Sequence, residues 1–258
     1  MSSSQGKFVW YELMTTDTAA AEVFYIGVIG WSAADAGMPD KPYTIFSAGE
    51  TQVAGLMALP ESAASAGARP GWIGYVAVND VDANAAKAAR AGGIVRYAPD
   101  DIPGVGRFAV IADPQGAVFA LFKGLCEEPP GQPATQGVPG HSGWRELHAA
   151  DREAAFGFYS GLFGWTKADQ MDMGAMGIYQ MFACDGETLG GMMTKPEAGP
   201  PPFWIYYFHV ESIVAAAERV RANGGQVFNG PMEVPGEMWI IQCLDPQGAM
   251  FALVGPHG

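Results

Sequence analysis

Two carboxylates stand where β-strands seldom carry them. Trp10-x-Glu12-x-Met14 and Trp144-x-Glu146-x-His148 each lie in a short, aromatic-rich run that reads as a strand. Side-chain alternation puts the three residues of each set on one face. Strand interiors disfavour Glu, and burying a bare carboxylate is costly unless it is paired or protonated. Apolar neighbours such as Trp raise a carboxyl pKa, which is how a general acid or base is tuned. Glu12 and Glu146 are therefore the candidate catalytic residues. Each is either a proton carrier or an anchor for a cationic or hydroxylated ligand. The plainer alternative is a carboxylate hydrogen-bonded to backbone or lying in solvent.

The same alternation collects Ile73, Tyr75 and Ala77 on one later strand, and Ile205, Tyr207 and His209 on another. Trp10, Tyr75, Trp144, His148, Tyr207 and His209 are the candidate ligand-binding residues. The aromatic ones, with Tyr43 and Tyr179, can stack on a flat molecule, although aromatics on strands are as a rule plain core. His148 and His209 admit four readings: a metal site, an acid–base pair with Glu146, a polar ligand contact, or structural histidines. Arg107 is a weaker candidate for an anion, because its counterpart is Trp239. Met171, Met173 and Met176 form either an adaptable lid or a hairpin tip. No Ser-His-Asp or Cys-His arrangement and no phosphate-cradling glycine loop can be read.

Around these residues the chain alternates strands with two kinds of helix. Phe8 to Met14 is a strand; Asp17 caps an Ala-rich helix that ends near Gly30. Strands at about Tyr43 to Ala48 and Gln52 to Ala58 follow, and Glu61 to Pro70 reads as a connection. Trp72 to Val78 is the next strand, Asp80 caps a second helix, and Gly92-Gly93 ends it. Two closing strands are joined by Asp113-Pro114-Gln115-Gly116, the order a type I turn requires.

That order then repeats. Asp17, Phe24, Tyr25, Gly30 and Trp31 recur 134 positions later, as Asp151, Phe158, Tyr159, Gly164 and Trp165. Trp72, Gly92-Gly93 and the Asp113 turn recur 132 later as Trp204, Gly224-Gly225 and Asp245-Pro246-Gln247-Gly248. Internal repetition of this kind implies stacked copies of one supersecondary unit. The expected boundaries are a first domain over 1–126, a Pro/Gly-rich linker over 127–141 and a second domain over 142–258.

Taken in order, Trp10-x-Glu12-Leu13, Asp17, Phe24-Tyr25, Gly30-Trp31, Asp80-Val81-Asp82, Gly92-Gly93 and Asp113-Pro114-Gln115-Gly116 resemble the vicinal oxygen chelate superfamily. That superfamily includes glyoxalase I, extradiol dioxygenases and bleomycin-resistance proteins. The resemblance implies an α+β fold, a tandem duplication of the glyoxalase-like cupped sheet with four βαβββ units. It also implies that the face carrying Glu12 and Glu146 lines the cup. Family catalysis usually employs a divalent metal as Lewis acid. Carried over residue by residue, the ligand positions are Trp10, Ile73 and Ala120 in the first copy and Trp144, Ile205 and Ala252 in the second. None of the six can donate a lone pair to a cation. The expectation is no metal and no cofactor.

The net charge of −13 argues against nucleic-acid partners. With 49% apolar and 16% charged residues the chain is not disordered, and no run is long enough to cross a bilayer. Cys126, Cys184 and Cys243 lack metal spacing and read as reduced thiols; with no signal-like N-terminus, a cytoplasmic protein is expected. The expected partner is a small-molecule ligand, in a monomer or homodimer. The expected function is a glyoxalase- or bleomycin-resistance-like protein that binds or sequesters a small molecule in an apolar cup. The alternative is a metal-independent lyase or isomerase of glyoxalase type acting on a small carbonyl compound. A third reading is a scaffold whose cups are filled core.

Overall fold

The computed structural model describes residues 4–38, 42–125 and 137–258. Cys126 and most of the expected linker, 127–136, lie outside the described residues. In the first repeat β1 (Phe8–Thr15) leads into α1 (Thr18–Ile29), then β2 (Ser32–Asp35), β3 (Thr44–Ala48) and β4 (Thr51–Ala58). A short α2 (Glu61–Ser65) precedes β5 (Gly71–Ala77), α3 (Val81–Arg90), β6 (Ile94–Ile102), β7 (Gly106–Ala112) and β8 (Val118–Gly124). The second repeat follows the same plan without α2. It contains β9 (Ser142–Ala149), α4 (Arg152–Phe163), β10 (Thr166–Asp172), β11 (Ile178–Cys184) and β12 (Glu187–Thr194). It continues with β13 (Phe203–His209), α5 (Ile213–Ala222), β14 (Gln226–Val234), β15 (Met238–Leu244) and β16 (Met250–Gly255).

The strands form two eight-stranded mixed sheets, ordered β2-β3-β4-β1-β5-β8-β7-β6 and β10-β11-β12-β9-β13-β16-β15-β14. The duplication expected from the repeat, and the α+β fold that the resemblance implied, are the observed architecture. The helix starts follow from side-chain caps: Asp17 Oδ1 accepts from Ala20 N, Asp80 Oδ1 from Ala83 N, Asp151 Oδ1 from Ala154 N, and Ser212 Oγ from Ala215 N. Gly30 and Gly164 end α1 and α4 at φ of 88° and 76°, the left-handed conformation that favours glycine.

Three elements depart from the sequence reading. β2 and β6 are strands the pattern did not single out, because both lie at sheet edges and β2 carries only Ser-Ala-Ala-Asp. β6 is exposed along most of its length, so no alternation marks it. The connection Glu61 to Pro70 contains α2, one turn of exposed helix. The segment carrying Met171, Met173 and Met176 is a hairpin tip between β10 and β11, where Met173 N–H donates to Gly177 O across a 3-10 turn.

Two compact units emerge, and each draws on both repeats. One comprises 1–9, 74–129 and 144–205; the other comprises 10–73, 130–143 and 206–258. The recurring residues explain the assembly of each. In the first unit, Trp204 Nε1 donates to Tyr159 Oη (2.9 Å), and Tyr159 O–H donates to Asp113 Oδ2 (3.0 Å). In the other unit, Trp72 Nε1 donates to Tyr25 Oη (2.9 Å) and Tyr25 O–H to Asp245 Oδ2 (3.2 Å). Asp113 Oδ1 also takes the backbone N–H of Gln115 and Ala117, and Gly116 N closes the expected turn onto Asp113 O. Asp245 repeats every one of these bonds. Burial raises both carboxyl pKa values, and the donated hydrogen bonds work against that rise. Packed rings surround each relay: Tyr159 stacks on Trp165 at 5.5 Å, and Tyr25 on Trp31 at 6.0 Å.

Candidate functional site

Within the first unit, β9 carries Trp144, Glu146 and His148 on one face, while Arg145 and Leu147 on the other face are buried. Glu146 is 8% exposed and sits opposite Gly191 of β12 in the parallel ladder. Tyr179 of β11 lies across that glycine, and a Cβ there would collide with the edge of the tyrosine ring and its hydroxyl. The missing side chain is thus what lets the phenol reach over β12 to β9.

The resulting network has a direction. Trp144 Nε1 donates to Tyr179 Oη (2.7 Å), so the tyrosine proton goes on to Glu146 Oε2 (2.8 Å). The other carboxylate oxygen meets His148 Nε2 at 2.7 Å. The His148 ring stacks on Phe203 of β13, with centroids 4.6 Å apart and planes 6° from parallel. The carboxylate is therefore gripped by two side chains, consistent with the rule that buried charge is paired.

The second unit holds the counterpart from the first repeat. Trp10 Nε1 donates to Tyr43 Oη (2.9 Å), and Tyr43 is hydrogen-bonded to Glu12. Gly55 faces Glu12 in register and leaves room for the Tyr43 ring. Burial, and then the Glu12 charge, push the Tyr43 phenol well above its ordinary range. Met14 occupies the place of His148, and Gly71 that of Phe203, so neither the imidazole nor its stacking partner is present.

The structure thus joins Trp10 to Glu12 and Trp144 to Glu146 and His148. The remaining candidates have partners of their own. Tyr75 packs near Phe108 (6.4 Å) and Phe122 (6.2 Å). Tyr207 accepts from Gln242 Nε2 at 2.8 Å, and Gln242 Oε1 takes Asn229 Nδ2 at 3.0 Å. His209 is buried, its Nε2 accepting from Gly137 N at 2.9 Å, which anchors the chain entering β9. Arg107 is met by Asp82 through two hydrogen bonds and by Asp101 through a third. Tyr43 and Tyr179 were legible as aromatics but not as carboxylate partners. The signal lay in a shared offset: Tyr43 to Tyr179 and Gly55 to Gly191 are both 136 positions apart.

At the six positions where the family places metal ligands, the side chains do not fit a metal. The Trp10 and Trp144 indoles are N–H donors, spent on tyrosine. Ile73, Ala120, Ile205 and Ala252 are buried hydrocarbon. Among the described residues, no three His, Cys, Asp or Glu side chains converge as a ligand set. Nor, among the described residues, is any helix long and apolar enough to cross a membrane.

Comparison with known proteins agrees with this architecture. The profile of the Glyoxalase/Bleomycin resistance protein/Dioxygenase superfamily matches residues 7–121 and again 143–253, and the chain belongs to that superfamily. It is 33% identical to the Mycobacterium tuberculosis protein named "Putative glyoxylase CFP32", over 98% of this chain and 95% of that one. It is 34% identical to the anthracycline biosynthesis protein DauV of Streptomyces sp. (strain C5), covering 96% of this chain and 93% of that one. Among solved structures, the fold resembles the Mn(II)-bound glyoxalase from Novosphingobium aromaticivorans (TM-score 0.65, 19% identity, 98% of this chain and 82% of that one). It also resembles the 2,3-dioxygenase LapB from Pseudomonas sp. KL28 (TM-score 0.67, 13% identity, 100% and 94% coverage).

Proposed function

We propose that the chain binds a small organic molecule against the wall of Trp144, Glu146, His148 and Tyr179, without the metal ion associated with its superfamily, and sequesters it. The carrying observation is the Glu146 carboxylate, buried yet gripped by Tyr179 and His148, with 11% of its side-chain surface still open. Such a small set of fixed polar groups among aromatic rings suits orientation of a ligand. Relatives named for anthracycline biosynthesis support an organic ligand. The six hydrocarbon or indole side chains at the ligand positions support metal-independent binding.

A second reading is favoured by one contact, the 2.7 Å approach of His148 to Glu146. An imidazole held by a carboxylate is suited to proton transfer, as a metal-independent lyase or isomerase acting on a small carbonyl compound would require. Thermal-shift screening of small organic ligands, with and without EDTA, tests the first reading. Hits that survive chelation and weaken in Glu146→Gln or Tyr179→Phe are expected. Hits that need an added divalent cation, or that ignore both substitutions, would overturn it. Turnover of a hit, lost in the same variants, would favour the second.

A further inference from the structure

We propose that His148 Nδ1 is the basic atom this wall presents to its ligand, and that it accepts the proton of a phenolic or enolic hydroxyl on a planar molecule. The proposal rests on the small-molecule reading above and assigns its ligand a chemical class. The direction of the network carries it. Tyr179 spends its acceptor on Trp144 and its proton on Glu146 Oε2, so Glu146 acts there as acceptor. Its second oxygen, Oε1, lies 2.7 Å from His148 Nε2, and against an ionised carboxylate that nitrogen is the one that carries the ring proton. The lone pair is left on Nδ1, which has no hydrogen-bond partner among the described residues, and the side chain remains 14% exposed. Glu146, with both oxygens engaged, is a positioning residue.

The internal comparison supports the same assignment. The first repeat keeps the Trp–Tyr–Glu network but has Met14 for His148 and Gly71 for Phe203. The imidazole and the ring that fixes its plane are present together or absent together, while the carboxylate network is common to both repeats. In the step itself the ligand O–H bond breaks and an Nδ1–H bond forms. The electron pair stays on the ligand oxygen, and the new imidazolium is balanced by the Glu146 carboxylate. No other reactant is needed.

The test uses 4-nitrophenol, whose anion absorbs at longer wavelength than the neutral phenol, and its methyl ether 4-nitroanisole, which has no acidic proton. Both are titrated with the full chain about one pH unit below the phenol's own titration. The expected result is growth of the phenolate band on binding 4-nitrophenol. His148→Met, which copies the first repeat, should lose that band and about tenfold or more in affinity. His148→Gln, still polar but not basic at this pH, should bind the phenol without ionising it. Retention of the band in either variant overturns the proposal, as does failure of wild type to bind 4-nitrophenol. Equal binding of phenol and ether without a band also overturns it while leaving the small-molecule reading intact. Wild-type melting curves in both variants confirm that loss of the band is not loss of the fold.

Discussion

Replacing Tyr159 with Phe removes one buried oxygen from the first compact unit and leaves the ring stacked on Trp165. That oxygen accepts Trp204 Nε1 and donates to Asp113 Oδ2, and Tyr159 itself is fully buried. Trp204 and Asp113 have no other side-chain hydrogen-bond partner among the described residues. Losing a hydrogen bond to a charged group costs about 1.5–3 kcal/mol, and an indole N–H left unsatisfied costs about 1–3 kcal/mol. Non-additivity trims the sum, so a destabilisation of about 2–5 kcal/mol is expected. The loss should shrink in acid. Burial has already raised the Asp113 pKa, and removing a donor to the anion raises it further. As pH falls through that value the carboxyl becomes neutral and misses the hydroxyl less. Urea unfolding followed by tryptophan fluorescence, at neutral and mildly acidic pH, measures both effects. Tyr25→Phe performs the same operation in the other unit, so if the units unfold separately each variant should move its own transition. A loss below about 0.5 kcal/mol, or one that grows in acid, would refute the reasoning.

Three further outcomes are expected. Gly191→Ala drives a Cβ against the edge and hydroxyl of the Tyr179 ring and should displace the phenol from Glu146, abolishing ligand shifts that depend on that carboxylate; unchanged shifts would contradict the described slot. Folding should weaken in alkali: burial pushes Cys243 up to about 12, and Tyr25 and Tyr43 also rise, so the folded chain holds these protons more tightly than the unfolded chain. Stability then falls as pH climbs from about 9, where unfolded thiols begin to ionise, towards 12; a flat stability profile across that window refutes it. Residues 1–126 expressed alone should not behave as a folded monomer, because Asp113 and Tyr25 are separated from Tyr159 and Asp245. Sedimentation combined with circular dichroism decides, and a folded monomer would count against the interleaved units.

Much of this architecture was written in residues whose physics is local. Asp17, Asp80, Asp151 and Ser212 cap helices because a short side-chain acceptor suits the first turn, and Asp113-Pro114-Gln115-Gly116 makes the turn its composition favours. Glu12 and Glu146 stood out because carboxylates are uncommon on apolar strand faces. What escaped was long-range or negative information. Gly55 and Gly191 matter for the side chain they lack, and only the register opposite Glu12 and Glu146 shows it. Edge strands such as β6 carry no alternation to read. His209 shares a strand face with Tyr207, yet it serves the backbone at Gly137, a contact that strand periodicity does not encode.

The interleaving of repeats has a consequence for birth on the ribosome. One unit needs nothing beyond residue 205, and its Tyr159–Asp113 bond closes a span of 46 residues. The other must keep Tyr25 waiting until Asp245 emerges, 220 residues later. The first unit has a long closure of its own, from Gly6 O to Trp165 Nε1 across 159 residues, so what separates the two is the order in which their partners leave the ribosome. During synthesis one half of the protein can therefore mature while α1, with Phe24 and Tyr25, still lacks its cover, and that interval is when a nascent chain would most need a chaperone.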